Sequence, residues 1–354
     1  MYSERILRLK RELRKKRKSA CLITSLTNIR YLAGFTGSYA CLLLCDREDV
    51  LFTDFRYQEQ SAREVSTCRC VITSKDLFVF IASYAKKLGI KDLSLEDTII
   101  YKRYEYLSRH FSLTMLSDVV EDLRIVKDAS EIELIKEAIK KAEDAFIKIK
   151  GHIKAGVTER SIALRLEESM KHNGVDKIAF DTIVASGKNS ALPHAKPTQK
   201  KLEKGDLVVI DWGGESGGYF SDMTRTLLVK GPNIEKQKEI YDVVLTANTS
   251  AIEGIRTELT APQVDAIARQ VITDAGHGQR FGHGTGHGVG LEVHEKPRVS
   301  AKAPKLLIKD GMVFTVEPGI YIPNLGGVRI EDMVVVSEGK AQRLTTLPRN
   351  IEIV

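Results

Sequence analysis

The residues with the clearest chemical potential are two acids, Asp211 and Asp222, in the segment VVIDWGGESGGYFSDMTR. Two alternating apolar runs surround a glycine-rich centre at residues 213–218. This pattern predicts a β-hairpin, because glycine adopts turn conformations that other residues avoid. Folding the hairpin about its middle places the two acids opposite each other, with Cβ atoms about 4.5–5.5 Å apart. Such carboxylates repel, so either one is protonated or a cation lies between them.

Further acids and histidines supply ligands for a cation. The segment FGHGTGHGVGLEVHE contains three of the eight histidines, at 283, 287 and 294, which is a span of 12 residues. Its glycines could also cradle a phosphate, but no Lys-Ser or Lys-Thr follows them, so we discount that function. Glu317 ends an apolar run in TVEPG, and Glu331 lies among strand-forming residues in GVRIEDM. Each of these residues alone is more typical of a structural or surface position, so the inference depends on the set.

Five residues form a mixed oxygen and nitrogen ligand set: Asp211, Asp222, His287, Glu317 and Glu331. Its four negative charges balance two divalent cations. Oxygen and imidazole ligands without thiolate suit Mn, Co, Zn or Fe. Two such ions about 3.5–4 Å apart can hold one water between them and lower its pKa towards neutrality. The set therefore predicts a hydrolytic metal site.

Two kinds of domain must position these residues. Strands alternate with helices over residues 1–125, which predicts an α/β domain without a catalytic cluster of its own. A boundary is expected near residues 124–128, where a new helix can be capped. Residues 126–354 mix helices, strands and glycine-rich turns without a strict βαβ rhythm, which predicts an α+β domain that carries all the candidate ligands.

The overall composition is that of a soluble globular protein. The chain has 354 residues, 43% hydrophobic and 29% charged, which is ordinary for that class. We expect no signal peptide and no membrane span, because no apolar run approaches the roughly 18 residues that a span needs. The five cysteines all lie in the first 70 residues. They lack zinc-ribbon spacing, which predicts reduced thiols in a cytoplasmic protein.

The net charge of +7 comes entirely from the amino terminus. The first 18 residues carry nine Lys or Arg against two Glu, and the other 336 residues sum to zero. Ile6, Leu9 and Leu13 have helical spacing, so we predict an amphipathic helix docked on its domain with a solvated basic face. Contact with RNA, DNA or acidic lipid is the alternative. We expect no nucleic acid and no membrane partner.

The ordered contexts IDWGGESGGYFSDMTRT, HGTGHGVGLEVHE, TVEPGIY and GVRIEDM resemble the pita-bread-fold metallopeptidases. Within that group the chain is similar to the Xaa-Pro peptidases, the aminopeptidase P and prolidase branch. NIRYLAGFTGS and TDFRY resemble their creatinase-like amino-terminal domain, so the resemblance covers nearly the whole chain. It implies a creatinase-like α/β domain before a pita-bread catalytic domain, a peptide substrate with proline second, and a homodimer. It also implies two divalent ions per subunit, with Mn the first choice.

The resemblance also implies a role for each ligand. Asp211 would bind one ion, and His287 and Glu317 the other. Asp222 and Glu331 would bridge both ions. A hydroxide between the ions would attack the scissile carbonyl, and Glu317 would move its proton.

Other matching residues imply substrate contacts. His294 would polarise the carbonyl and stabilise the oxyanion. His194, in SGKNSALPHAKPT, and His283 match catalytic and substrate-binding histidines near the proline. Arg329 resembles an arginine close to the bridging glutamate, at the substrate side of the site. Thr224 is expected on the same strand face as Asp222, where it could hydrogen-bond a ligand carboxylate.

Other activities are weighed against this one. Methionine aminopeptidases share the fold and five such ligands but usually lack a 125-residue first domain, and creatinase lacks the metal set. A non-catalytic binding scaffold typically loses ligands, and none is lost here. Substrate length stays open, because the wall that would exclude longer peptides does not show in the sequence. We favour an Xaa-Pro aminopeptidase, with an Xaa-Pro dipeptidase as the alternative.

Overall fold

A computed structural model describes residues 2–232 and 234–354. The chain divides into two compact units, Met1–Arg124 and Ile125–Val354. Among the described residues, no helix combines the length and the apolar character that a bilayer crossing requires.

The first unit is built on one six-stranded mixed sheet. Its two middle strands, Ala20–Ile23 and Cys41–Cys45, are buried and apolar, as expected where helices cover a sheet. The first helix buries Ile6, Leu9 and Leu13, which confirms the predicted amphipathic helix. The strands are β1 (Ala20–Ile23), β2 (Cys41–Cys45), β3 (Asp49–Thr53), β4 (Arg69–Ile72), β5 (Asp92–Glu96) and β6 (Ser112–Leu116). They lie side by side in the order β4-β3-β2-β1-β5-β6. The helices are α1 (Tyr2–Lys15), α2 (Leu26–Ala33), α3 (Gln58–Glu64), α4 (Leu77–Lys87), α5 (Tyr101–Ser108) and α6 (Glu121–Arg124).

The second unit combines four long helices with several small sheets. The helices are α7 (Ala129–Ile149), α8 (Glu159–His172), α9 (Glu235–Gly254) and α10 (Ala261–Asp274). The strands of its first half are β7 (Lys177–Ile178), β8 (Ile183–Ser186), β9 (Leu207–Trp212), β10 (Gly214–Ser216), β11 (Tyr219–Phe220) and β12 (Met223–Leu228). Those of its second half are β13 (Gly286–Gly288), β14 (Glu295–Val299), β15 (Val313–Val316), β16 (Gly319–Ile322), β17 (Gly326–Arg329), β18 (Asp332–Ser337), β19 (Lys340–Arg343) and β20 (Glu352–Ile353).

Two of these sheets matter for the site. One has the order β20-β12-β9-β8, and the other has the order β14-β13-β15-β18-β19. An isolated antiparallel bridge between Thr224 and Glu331 connects β12 to the start of β18, so the two sheets meet there.

Helices cover both sheets. Apolar residues of α9 and α10, such as Val244 and Ala268, share one buried cluster with Phe314 and Val316 of β15. On α7, Phe146 stacks on Trp212 at the end of β9, with ring centroids 4.5 Å apart. The indole of Trp212 also donates a hydrogen bond to a carbonyl of α7. Burying large apolar side chains of this kind stabilises a fold by about 1.5–3 kcal/mol each. These contacts therefore hold the end of β9 firmly at Trp212, next to Asp211.

Candidate metal centre

The two acids of the hairpin share a face but are not paired. In the β9–β12 register, Asp211 lies opposite Thr224. The prediction that Asp211 lies opposite Asp222 is therefore wrong. The turn is made by Gly217 and Gly218, with φ of 58° and 91°, which lies one residue beyond the assumed centre. A turn displaced by one residue shifts the register by two, and an even shift keeps every side chain on its expected face.

The remaining three predicted ligands come from the second sheet. His287 lies on β13, Glu317 follows the last residue of β15, and Glu331 precedes the first residue of β18. The β15 and β18 strands pair with Val316 opposite Asp332, so the two glutamates emerge at the same end of the strand pair. The bridge from Thr224 to Glu331 brings this end next to Asp222, which directly precedes β12, and to Asp211 on the paired strand β9.

The structure brings the five predicted ligands together. His287 Nε2 lies 3.5 Å from Asp222 Oδ2 and 3.5 Å from Glu317 Oε1. Three overlapping groups each place one ligand atom per member within 4.8 Å of the others. The groups are Asp222, His287 and His294; His287, Glu317 and Glu331; and Asp211, Asp222 and Glu331. We call the five predicted ligands the metal cage.

The electrostatics of the cage favour a bound cation. Asp222 and Glu331 are 4% and 2% exposed. Burial raises the pKa of both carboxyls well above the usual range, and neighbouring carboxylates, including Asp211, raise these pKa values further. Asp211 Oδ1 is buried without a hydrogen-bond partner among the described residues. Crowded carboxylates and an unpartnered buried oxygen are the features that divalent ions would satisfy.

His287 is oriented as a neutral ligand. Its Nδ1 donates to the carbonyl of Gly288 at 3.1 Å, which leaves the Nε2 lone pair directed at the carboxylates. Burial lowers the pKa of His287, which favours the neutral ring that a metal ligand requires. Thr315 Oγ1 accepts from the His287 backbone N–H and donates to Glu317 Oε1. One hydroxyl thus fixes two neighbouring ligands, as is common around metal sites.

Two further candidate ligands, Glu331 and Asp211, are also held by hydrogen bonds. Thr224 Oγ1 donates to Glu331 Oε2 at 2.7 Å, which confirms the expected contact with a ligand carboxylate. Arg329 donates from Nε to Thr224 Oγ1 and from Nη2 to Asp211 Oδ2, at 3.1 and 2.6 Å. Arg329 is 3% exposed, so its guanidinium lies behind the cage and orients Asp211.

A tyrosine that the sequence analysis missed connects this arginine to His283. The Tyr321 hydroxyl accepts from Arg329 Nη1 at 2.9 Å and lies 2.9 Å from His283 Nε2. His283 Nδ1 donates to the Gly284 carbonyl, so Nε2 accepts from Tyr321. Burial lowers the pKa of His283. The only sequence signal for Tyr321 is its position four residues after Glu317 in TVEPGIY.

All nine predicted site residues line one cavity of about 690 Å³. Of the histidines, His194 and His294 are exposed, whereas His283 and His287 are partly buried. The rings of His287 and His294 lie 4.3 Å apart between centroids. The nine residues are His194, Asp211, Asp222, His283, His287, His294, Glu317, Arg329 and Glu331.

The sequence analysis also missed a cation in the cavity wall. Arg298 on β14 is exposed and lines the cavity. Within residues 2–232 and 234–354, no acidic side chain pairs with its guanidinium. It lies opposite His287 in the β13–β14 register, a neighbour relation that only the strand pairing reveals.

A buried acid on α10 anchors the segment that carries His283. Asp265 is 1% exposed, and its Oδ1 accepts from the backbone N–H and hydroxyl of Thr285. Arg269 pairs with Asp265 and donates to the carbonyls of Phe281 and His283. Two side chains of α10 therefore hold the backbone of the segment that carries His283.

The chain belongs to metallopeptidase family M24, whose model matches residues 133–338. The creatinase/prolidase N-terminal domain model matches residues 5–126. These matches confirm the resemblance and the predicted fold classes, a creatinase-like α/β domain followed by an α+β pita-bread domain. Membership of the family makes the chain a metal-dependent hydrolase, and the family implies divalent metal ions.

Several relatives are similar over their full length. The Xaa-Pro dipeptidase of Pyrococcus horikoshii is 40% identical over 336 residues, which cover 94% of each chain. A solved structure of an Xaa-Pro dipeptidase from Bacillus anthracis has a TM-score of 0.97 and 39% identity, and covers 100% of both chains. An X-Pro aminopeptidase from Thermotoga maritima has a TM-score of 0.89 and 38% identity, covering 95% of this chain and 97% of that one.

Proposed function

We propose that this enzyme hydrolyses the peptide bond between a first residue and a following proline. The carrying observation is that five oxygen and nitrogen ligands converge on one wall of a cavity that is also lined by three further histidines. Relatives named for Xaa-Pro hydrolysis support this substrate class.

The metal cage would hold two divalent ions. We propose Asp211 as ligand of one ion, His287 and Glu317 as ligands of the other, and Asp222 and Glu331 as bridges. Ions held there would supply Lewis acidity and a water of lowered pKa. Mn is our first choice, with Co, Zn and Fe as alternatives, because ligands of this type rank metals by availability as much as by affinity.

Residues beside the cage would handle protons and charge. Glu317 lies at the cavity wall, and burial raises the pKa of its carboxyl, which suits a group that accepts a proton and returns it. His294 is exposed to the cavity beside His287. Its imidazole N–H would donate to the carbonyl oxygen as negative charge develops there.

The proline side of the substrate would contact other groups. We propose that His194 and His283 bind the substrate there, since both line the same cavity. Arg329 also lines the cavity, although its guanidinium already donates to Asp211, Thr224, Tyr321 and the Pro193 carbonyl. It would therefore act on the substrate through the groups that it orients as well as by its positive charge.

Substrate length has two candidates. The aminopeptidase favoured by the sequence analysis agrees with the Thermotoga relative, and the dipeptidase alternative with those from Pyrococcus and Bacillus. Arg298 is the observation that favours a dipeptidase. An exposed guanidinium without an acidic partner in the described cavity wall suits the free carboxylate of an Xaa-Pro dipeptide.

The test is hydrolysis of matched peptides by the Mn-loaded chain. We expect Xaa-Pro and Xaa-Pro-Xaa peptides to be cleaved before proline, and Xaa-Ala controls to be cleaved at least about tenfold more slowly, a difference of about 1.4 kcal/mol. Faster turnover of the dipeptide than of the tripeptide would identify a dipeptidase. Equal cleavage of Xaa-Ala, or none of any peptide with Mn, would contradict the proposal.

We further propose a cytoplasmic homodimer. The five cysteines are free thiols, and three of them are buried. Burial raises the pKa of Cys21 and Cys41, which disfavours their reactive thiolate forms and is consistent with a reducing compartment. Light scattering of the purified chain would measure the mass, and a monomer at micromolar concentration would contradict the dimer.

A further inference from the structure

A loop between β8 and β9 forms part of the cavity wall. We call residues 187–198 the rim loop. Its tip, with Pro193, His194 and Lys196, lines the cavity. At the tip, Leu192, His194 and Lys196 are exposed, whereas Pro193 and Ala195 are partly buried. Burial of its own side chain therefore does not fix His194, so its position depends on how the rest of the rim loop is held.

Both ends of the rim loop are held by one buried acid. Glu159, the first residue of α8, is 0% exposed. Its Oε1 accepts from the backbone N–H and hydroxyl of Ser186 at 2.7 and 2.8 Å. Its Oε2 accepts from the backbone N–H and hydroxyl of Thr198 at 3.0 and 2.6 Å. The Asn189 side-chain amide donates to both oxygens.

This carboxylate is suited to a permanent anchor. Burial would raise the pKa of Glu159, but hydrogen bonds from Thr198 and Ser186 outweigh burial, and the pKa lies below its usual range. Hydrogen bonds to an ionised acceptor are shorter and about twice as strong as neutral ones. If the carboxylate is replaced by an amide, its NH₂ group faces donors and leaves them unsatisfied, at about 1–3 kcal/mol each.

The rim loop also contacts the metal cage through one residue. Arg329 donates from Nη1 to the Pro193 carbonyl at 3.3 Å and from Nη2 to Asp211. The rim loop is therefore held by Glu159 at its ends, by the buried Ser190 hydroxyl, which accepts from the Gly327 N–H at 2.8 Å, and by Arg329 at its tip. A shift of the ends would move His194 relative to the cage.

We propose that Glu159 is a positioning residue for substrate binding, which holds the rim loop so that His194 faces the proline side of the cavity. This inference rests on the proposed function for its kinetic consequence only. The geometric part, that Glu159 fixes the loop, stands independently.

The test compares Glu159→Gln with a matched control, Glu143→Gln. Glu143 on α7 is also buried, at 4% exposed. It accepts from the backbone N–H and hydroxyl of Thr346 and from the Leu347 N–H, and it does not line the cavity. Both variants lose the same chemical group, so a general loss of stability affects both.

We expect Glu159→Gln to accelerate amide hydrogen exchange in residues 187–198 by about tenfold or more, because the local opening free energy falls. The KM for an Xaa-Pro peptide should rise about five- to tenfold with kcat within about threefold, since only substrate positioning is lost. Mn content should be unchanged. Glu143→Gln should change neither the KM nor exchange in these residues.

Wild-type exchange and KM in Glu159→Gln, or equal changes in both variants, would overturn the proposal. If Glu159→Gln does not fold, Thr198→Val removes one hydroxyl donor and keeps the acid, and it should shift exchange and KM less but in the same direction. Wild-type values in a folded Thr198→Val variant would then overturn the proposal. If the wild-type chain cleaves no Xaa-Pro peptide, the proposed function fails, while the exchange data still decide the role of Glu159.

Discussion

The cavity has an inner wall, which is the metal cage, and a rim, which includes His194 and Arg298. These two parts are built differently. The metal cage comes from residues within or directly beside strands of two sheets, which are joined by the Thr224–Glu331 bridge, and its bridging candidates are almost fully buried. The rim carries exposed side chains, His194 on a loop and Arg298 on the edge strand β14. Strands fix geometry to fractions of an ångström, whereas loops and edges tolerate variation. Chemistry is therefore expected from the wall and substrate preference from the rim.

The comparison predicts the largest effect for a change in the wall. Asp222→Asn removes the charge of a proposed bridging ligand. Activity should fall by about a thousandfold or more, since several kcal/mol of transition-state stabilisation from the metals is lost. The metal-free variant should melt no lower than the wild type, because a buried carboxylate surrounded by acids is removed. Turnover assays and calorimetry measure both, with the exposed Asp274→Asn as control; near-normal turnover would refute the bridging role.

His294 lies between wall and rim, so its variant sharpens the comparison. His294→Ala should lower kcat by about 10²–10³-fold, the usual cost of losing one donor to the oxyanion. Mn content measured by mass spectrometry should stay at the wild-type level. Because a His294 nitrogen lies near ligand atoms of Asp222 and His287, loss of metal would instead make it a ligand. The exposed His172→Ala serves as control.

The affinity for metal should depend on pH because of the buried acids of the metal cage. Burial raises the pKa of the Asp222 and Glu331 carboxyls, so the metal-free fold retains protons on them at a pH where an unfolded chain has released them. Ions bind only the deprotonated groups, so binding releases protons and weakens as pH falls. Mn titrations should show at least about tenfold weaker binding at pH 5.5 than at pH 7.5. An affinity independent of pH would contradict the coupled acids.

The same raised pKa values set the sign for stability. Without metal, these two groups cost stability as pH rises above the ordinary carboxyl range of about 3.9–4.3, because the folded state binds more protons than the unfolded state there. Bound ions would remove this cost. Thermal melts with and without Mn should therefore diverge as pH rises, and parallel curves would count against a site at these acids.

The smallest effect is expected at the rim. Arg298→Ala should raise the KM for an Xaa-Pro dipeptide about tenfold. This is at the low end of the effect of losing a charge-assisted hydrogen bond, because Arg298 is exposed to solvent. The KM for Xaa-Pro-Xaa should change less than about twofold, since the carboxylate of the tripeptide lies one residue further from the scissile bond. Arg280→Ala, an exposed arginine outside the cavity wall, is the control. Equal changes for both peptides would remove Arg298 from the choice of substrate length.

The sequence predicted the candidate metal ligands better than the residues that hold the site in place. Ligands on strands follow alternation, so Asp211 and Asp222 were placed on one face although their register was wrong. The register depended on which glycines of the run form the turn, and Gly217 and Gly218 do so. Contacts such as Tyr321 to His283 or Glu159 to Thr198 join residues 38 or 39 positions apart. No periodic pattern encodes them, so only the folded chain reveals them.

The central claim is that the wall binds two ions. A crystal structure of the Mn-loaded chain, with anomalous diffraction at the manganese edge, tests it most directly. We predict two anomalous peaks about 3.5–4 Å apart, enclosed by the side chains of Asp211, Asp222, His287, Glu317 and Glu331. A chain saturated with Mn that shows no peak there, or any of these five side chains turned away from the ions, would contradict the account.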